Sequence, residues 1–458
     1  MPPHAPAAPA VTSRRVLALS LPITLANVTT PLLGIVGAAV IGRLGDAALL
    51  GALALGAVIF DYLFWTFGAL RMATAGLTAQ AAGAGDTGEV DRTLARALAV
   101  AVAVGLALVA LQAPLGAGAL ALAGASPAVT AALSSYFGVR ILSSPFTLAN
   151  YAILGSTLGR GRTDLGLGLQ VAINLVNVAL TLGLVLGLHL GIAGAALAAV
   201  LAEVAGTVLG LAVLRRLGAR PWRVARADIL ERAGLRRMLA VNGDVMVRTL
   251  AIIAAFGLFS ALGARAGDVP LAANAVLQNL FLVGSFFLDG FATAAEVLCG
   301  QALGARDEAG FRTAVRLALR WCVGFGLAVS TVFLVGGAAF IDAVTTHAEV
   351  RAFARDYLPF AALTPLVAAA AFAFDGVYIG ATWTRPMRNL MLAALAADVA
   401  VLLVARGYGN TGLWLAMLAF LAARGIGQAA LYPRLAAATF PPRRSADLSL
   451  SRPSEATR

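Results

Sequence analysis

Residues 281–304 read FLVGSFFLDGFATAAEVLCGQALG, a run long and apolar enough to cross a bilayer, yet with Asp289 and Glu296 in its middle. A separation of seven residues is about two helical turns, so both carboxylates fall on nearly the same face. A carboxylate in hydrocarbon costs at least about 2.5–3.5 kcal/mol on insertion scales, which demands an inward, wet or paired setting. Two readings stay open: a structural ion pair with a neighbouring helix, or ion and proton handling.

The rest of the chain gives that run its context. Of 458 residues, 60% are hydrophobic and 12% charged, with mean hydropathy +0.87, whereas soluble domains carry about 25% charged residues. The fold class expected is an all-α polytopic membrane protein. The net charge of +12 does not point to nucleic acid, because the bases stand at the ends of apolar runs. Every base is Arg; no Lys occurs. Cys299 and Cys322 lie inside apolar runs, and His4, His189 and His347 are far apart in sequence, so neither a disulfide framework nor a metal centre is expected.

Twelve apolar segments can be drawn, at 16–42, 48–83, 93–120, 128–158, 165–188, 191–214, 238–263, 269–303, 314–340, 350–381, 387–405 and 411–433. These give an N-lobe of six helices over 16–214, a basic linker over 215–237 and a C-lobe of six helices over 238–434. Disordered tails are expected at 1–15 and 435–458. The linker carries eight Arg against Asp228 and Glu231, which suits contact with phospholipid headgroups. Links rich in Arg alternate with links poor in it. The positive-inside rule then puts both termini in the cytoplasm, the parity that twelve spans require.

The halves repeat. LTAQAAGAGD at 77–86 lies on LCGQALGARD at 298–307 with a shift of 221, and the same shift carries Leu21 and Pro22 onto Asn242 and Gly243. GSTLGR at 155–160 can be laid on GATWTR at 380–385, and GIAG at 191–194 on GNTG at 409–412. Six helices per repeat keep both copies in one orientation, with a pseudo-two-fold axis along the membrane normal. Such repeats enclose a substrate path at their interface, the physics of a secondary transporter.

Candidate site residues follow from polar side chains inside apolar segments. For ion or proton coupling these are Asp289, Glu296, Asp375 and Asp244, and a Na+ site would draw on Asp244, Asp289 and Asp375. Asp244 stands one turn from Arg248 and can pair with it locally; Asp375 has no such neighbour in its own helix. Candidates for lining a polar cavity are Asn27, Arg71, Asn150, Asn174, Asn177, Thr181, Arg248, Asn274 and Gln278. Arg140, Arg424, Asp61 and Glu203 also lie within apolar segments, and Asn174, Asn177 and Thr181 share a stripe that serves cavity lining or helix–helix hydrogen bonding equally well.

At these residues the chain resembles the multidrug and toxic compound extrusion (MATE) family, in its DinF-like branch. The resemblance rests on Leu21, Pro22 and Asn27, PLLG at 31–34, VIG at 40–42, LRM at 70–72 and GLTAQ at 76–80. It continues with Asn242 and Asp244, LDGF at 288–291, GQALGARD at 300–307 and DGVYIGAT at 375–382. It implies two six-helix lobes about a central cavity and no enzymatic activity. It further implies export of amphipathic, often cationic compounds by H+ or Na+ antiport with alternating access. The setting expected is the inner (plasma) membrane, with the lipid bilayer and a small molecule as partners, no cofactor beyond the coupling ion, and a monomeric state.

The chain departs from that pattern in the N-lobe. Where relatives read Gly-Leu-Val-Asp-Thr-Ala, residues 34–39 are GIVGAA, so Gly37 replaces the acid, and Thr181 replaces the acid that follows the two asparagines. Coupling is therefore expected through the C-lobe. Three other readings stand beside the exporter: a lipid-linked precursor flippase of the same superfamily, a membrane enzyme acting on lipid intermediates, and a non-transporting scaffold.

Overall fold

The computed structural model describes residues 11–441. Of the expected tails, 1–10 and 442–458 lie outside the described residues, as do His4 and the tail arginines Arg443 and Arg444. Within the described part the first helix already begins at Ser13 and the last runs on to Thr439, so helix claims both inner edges of those tails. All regular structure among the described residues is helical.

The N-lobe comprises α1 (Ser13–Gly42), α2 (Ala47–Thr66), α3 (Ala69–Gly83), α4 (Thr87–Ala110), α5 (Gln112–Ala123), α6 (Pro127–Arg140), α7 (Ser144–Gly159), α8 (Thr163–Thr181) and α9 (Gly191–Arg216). The linker holds a short α10 (Arg226–Ile229). The C-lobe comprises α11 (Arg232–Arg265), α12 (Asp268–Gly304), α13 (Glu308–Val344), α14 (Ala348–Gly380), α15 (Thr384–Val404) and α16 (Gly409–Thr439). Eleven helical stretches are long and apolar enough to cross a membrane, α2 and α3 counting as one. The remaining apolar segment of the sequence, 128–158, forms α6 and α7, interrupted by a 3-10 turn at Ile141–Ser143. Together they match the twelve segments read from the sequence.

The interruptions have local causes. Gly68 separates α2 from α3, and Pro145, which has no amide hydrogen to give, stands in the first turn of α7. α14 runs unbroken through Pro359 and Pro365. Pro365 cannot donate to the Ala361 carbonyl, and the Thr364 hydroxyl donates to it instead at 2.6 Å. The next amide, Leu366 N–H, donates to Ser330 Oγ of α13 at 3.2 Å.

Membrane helices associate by close packing, since lipid removes the hydrophobic drive between them, and glycine permits the closest approach. In the N-lobe, Gly155 and Gly159 of α7 press on the backbone of α3 at Arg71 and Ala75. In the C-lobe, Gly376 and Gly380 of α14 press in the same way on α12 at Ala292 and Glu296. Gly105 of α4 lies under Pro145, and Gly326 of α13 lies under Pro365 and Leu366. These contacts keep the shift of 221 throughout. They correct the register proposed for GSTLGR: Gly155 corresponds to Gly376 and Gly159 to Gly380, four residues from the expected match. GIAG and GNTG are equivalent as expected, since Gly191 and Gly409 both have φ +55 at a helix start. Gly194 and Gly412 each then pack against a carbonyl, of Leu184 and Ala405.

α12 is the hub. It packs on α13, α14 and α11 within its own lobe and on α1 and α3 of the other. The lobes meet most closely near the membrane face that carries the termini. There Gly83 and Gly304 let α3 and α12 cross backbone to backbone, and Gly76 admits the Ile379 carbonyl of α14.

Candidate functional site

The two acids of α12 have different surroundings. Asp289 is exposed between Leu288 and Gly290, which are both buried, and Gly290 lies against Ser20 and Thr24 of α1. Charges within electrostatic reach of Asp289 are Arg71 from the N-lobe and Arg248, Asp375 and Arg424 from the C-lobe. Asp289 is thus an exposed carboxylate acted on by charges of both lobes. Glu296 is only 3% exposed, sealed where α3 and α14 crowd α12, and its Oε1 has no hydrogen-bond partner. Arg71 acts on Glu296 as well, so this guanidinium is within electrostatic reach of both carboxylates. Among the described residues neither acid is held in an ion pair, unlike their C-lobe neighbours.

Those neighbours are both paired, and the pairing expected for Asp244 is corrected. Asp375 of α14, which looked unpaired in its own helix, accepts from Arg248 of α11 and, at 2.7 Å each, from Arg424 and Gln428 of α16. Arg424 also lies over the Phe420 ring at 5.5 Å. All four polar residues are buried. Asp244, expected to pair with Arg248 one turn away, instead accepts from Arg388 Nη1 at 2.7 Å and from the Thr384 hydroxyl at 2.9 Å, both on α15. Arg248 is free to reach Asp375 because Asp244 has a partner on another helix. A Na+ site built from Asp244, Asp289 and Asp375 does not form: arginines occupy two of the three, and no cluster of three such ligands occurs among the described residues.

The neutral candidates are mostly spoken for by helix packing. Asn274 of α12 exchanges hydrogen bonds with Asn410 of α16 at 2.7 and 3.2 Å, and Trp414 Nε1 donates to it at 3.0 Å. It is 3% exposed, so it joins helices rather than lining a cavity. Asn150 donates to the Glu203 carboxylate at 2.7 Å and accepts from Thr207 at 3.0 Å, tying α7 to α9. On α8, Asn174 reaches Thr29 of α1 at 3.3 Å, and the Thr181 hydroxyl donates to Asn177 at 3.4 Å. Asn27 on α1 and Gln278 on α12 are half-buried. Arg140 lies over Phe60 and Phe64 at 5.6 and 5.3 Å and also reaches Ser143.

One buried acid escaped the sequence reading. Asp398 on α15 is 3% exposed and its Oδ2 has no partner. The signal was available, since AADVA at 396–400 puts an acid in mid-segment. Gln428, a ligand of Asp375, was overlooked because a neutral amide in an apolar run carries no mark of its role.

Comparison with known proteins agrees with this architecture. The MatE family model matches residues 22–183 and 245–404, one stretch in each lobe. DNA damage-inducible protein F of Escherichia coli (strain K12) is 39% identical over 419 residues, covering 91% of each chain. Protein DETOXIFICATION 42 of Arabidopsis thaliana is 29% identical over 192 residues, covering 39% of this chain and 35% of that one. Among solved structures, a MATE protein in its bent conformation superposes with TM-score 0.85 at 17% identity, over 93% of this chain and 96% of the other. An outward-facing multidrug resistance MATE transporter of the MOP superfamily superposes with TM-score 0.83 at 17% identity, over the same shares. The chain therefore belongs to the MatE family, a family of membrane transporters rather than enzymes.

Proposed function

We propose that this transporter is a secondary active exporter. It would move small amphipathic or cationic organic compounds out of the cell by antiport with H+ or Na+, its lobes rocking about the shared interface. The observation that carries this reading is the contrast among the four C-lobe acids. Asp375 and Asp244 are clamped by arginines, whereas Asp289 is exposed and Glu296 keeps an unfilled acceptor within electrostatic reach of Arg71. We assign coupling to Asp289 and Glu296, with Asp375 and Asp244 as parts of the frame. In this cycle the ion meets Asp289 from the cleft, and a cationic substrate competes for the same carboxylate, so the two are not held together.

Several features support the remaining parts. The arginine-rich links favour cytoplasmic termini and a plasma-membrane setting. The export direction and the substrate class are those the family resemblance implies. The chain is proposed to act as a monomer in the bilayer, with no cofactor beyond the coupling ion. A flippase for lipid-linked precursors would want a more basic cleft than one presenting Asp289.

Reconstitution into proteoliposomes under imposed H+ or Na+ gradients tests the reading. Wild type should move a fluorescent organic cation against the ion gradient, and Asp289→Asn should lose that flux while folding normally. Full gradient-driven flux in Asp289→Asn would remove Asp289 from the coupling step.

A further inference from the structure

Two glutamines at the terminus-bearing face make corresponding bonds, to a helix-end carbonyl and from an arginine, in opposite directions across the lobes. Gln80 closes α3 of the N-lobe. Its Nε2 donates to the Gly380 carbonyl at 2.8 Å and to Thr382 Oγ1 at 3.3 Å, while its Oε1 accepts from Arg237 Nη2 at 2.7 Å. All three partners belong to the C-lobe. Gln301 lies near the end of α12 in the C-lobe. Its Nε2 donates to the Gly159 carbonyl at 3.2 Å and its Oε1 accepts from Arg15 Nη2 at 2.7 Å, both in the N-lobe.

The two arrangements are related by the repeat itself. Gln80 and Gln301, Gly159 and Gly380, and Gly161 and Thr382 all differ by 221. Gly159 and Gly380 are the last residues of α7 and α14, whose terminal carbonyls have no partner in their own helices. Gly161 and Thr382 take the left-handed turn that follows each helix, with φ +78 and +55. Gln301 Nε2 passes over Gly161 much as Gln80 Nε2 passes over Thr382. The arginines come from the first turns of the first helix in each repeat, α1 and α11. An amide is suited to this task, because it donates and accepts at once and carries no charge into the interface.

We propose that Gln80 and Gln301 form a paired latch that holds this face shut, and that both halves release together when the lobes part there. Each half joins a helix end of one lobe to an amide of the other, so parting the lobes breaks both, and neither can rearrange within its own lobe to compensate. The proposal rests on the rocking motion of the preceding section but on neither the ion nor the substrate assigned there.

The test reads lobe separation directly. In a background with Cys299→Ala and Cys322→Ala, spin labels at Thr87→Cys and Arg312→Cys report the distance between exposed sites on the two lobes at this face. The full-length protein is measured in nanodiscs by electron–electron resonance across a pH series and with NaCl or KCl. Gln80→Ala and Gln301→Ala should each raise the ratio of open to closed molecules by about tenfold, the equivalent of one charge-assisted hydrogen bond, and by similar amounts. The double variant should be open predominantly. Arg237→Ala, at an exposed position, gives the same reading without touching the buried crossing and should shift the ratio in the same direction. Variants that leave a switching wild-type distribution unchanged, or a shift confined to one glutamine, would overturn the latch while leaving rocking intact. A wild type and variants that all keep one short distance under every condition would overturn both.

Discussion

The two lobes are built on one pattern and differ in how they fill their middles. In the N-lobe the second and fourth crossings are interrupted, at Gly68 and at Ile141–Ser143, and the fifth loosens into a π-helical turn at Leu182–Gly187. Its interior polarity is neutral amides with Glu203, while Arg140 rests on aromatic rings. In the C-lobe, α12 and α13 each run 37 residues and α14 runs 33 without a break. Its interior holds a buried Asp375 between two arginines. At the interface, by contrast, the lobes remain near copies: Gly83 matches Gly304, Gln80 matches Gln301, and Asp86 and Asp307 both cap helix starts. The repeat has been kept where the lobes fit each other and in the glycine contacts within each lobe, and has diverged in the polar residues of each interior.

Six substitutions probe that contrast. The largest effect is expected from Asp375→Ala, which strands Arg248 and Arg424 in the C-lobe interior and should cost about 3–5 kcal/mol. An N-lobe acid at an exposed site, Asp61, is not its equivalent in the repeat, and Asp61→Ala should cost less than about 1 kcal/mol. Thermal unfolding in detergent compares the two; equal losses would mean that the charged C-lobe interior is no more structural than that exposed acid. Next comes Gly304→Ala, whose added methyl meets the Gln80 carbonyl and should cost about 1–3 kcal/mol by forcing the lobes apart. Asn274→Ala removes the bridge to Asn410 and Trp414 and should cost about 1–2 kcal/mol, near the upper range for such bonds in membranes. Smallest is Gly37→Ala, where a methyl would meet nothing nearer than Leu53 at 3.8 Å and should stabilise α1 by up to about 1 kcal/mol. Because that site has room, Gly37→Asp is expected to leave basal transport in place and to change the number of ions moved per substrate. A wild type that is inactive until Gly37→Asp is introduced would instead mark the chain as a transporter that has lost its function.

Much of the fold was legible because a bilayer imposes strong rules on sequence. Apolar length fixed the crossings, and LTAQAAGAGD against LCGQALGARD disclosed the repeat. The site was legible in part. Asp289 and Glu296 stood out because acids are costly in an apolar run, but what each acid meets was not readable. Arg248 and Asp244 sit one turn apart, and that spacing permits a pair without requiring it. Partners on α14 and α15, more than a hundred residues away in sequence, decided both. The four-residue slip at GSTLGR has a similar origin, since short glycine-containing motifs align in several registers and only the contact with α3 or α12 selects one.

The seat of Pro365 has a consequence for how the molecule moves. Its ring fits against Gly284 of α12, and its carbonyl lies over Gly326 of α13, so three long helices are notched into one another at a single depth. If the lobes rock as proposed, a slab keyed in this way would swing without shearing, and its amides should resist deuterium until the whole slab comes apart. The other lobe, jointed at Gly68 and Ile141–Ser143, would take up the bending such a swing demands, and deuterium should enter there first.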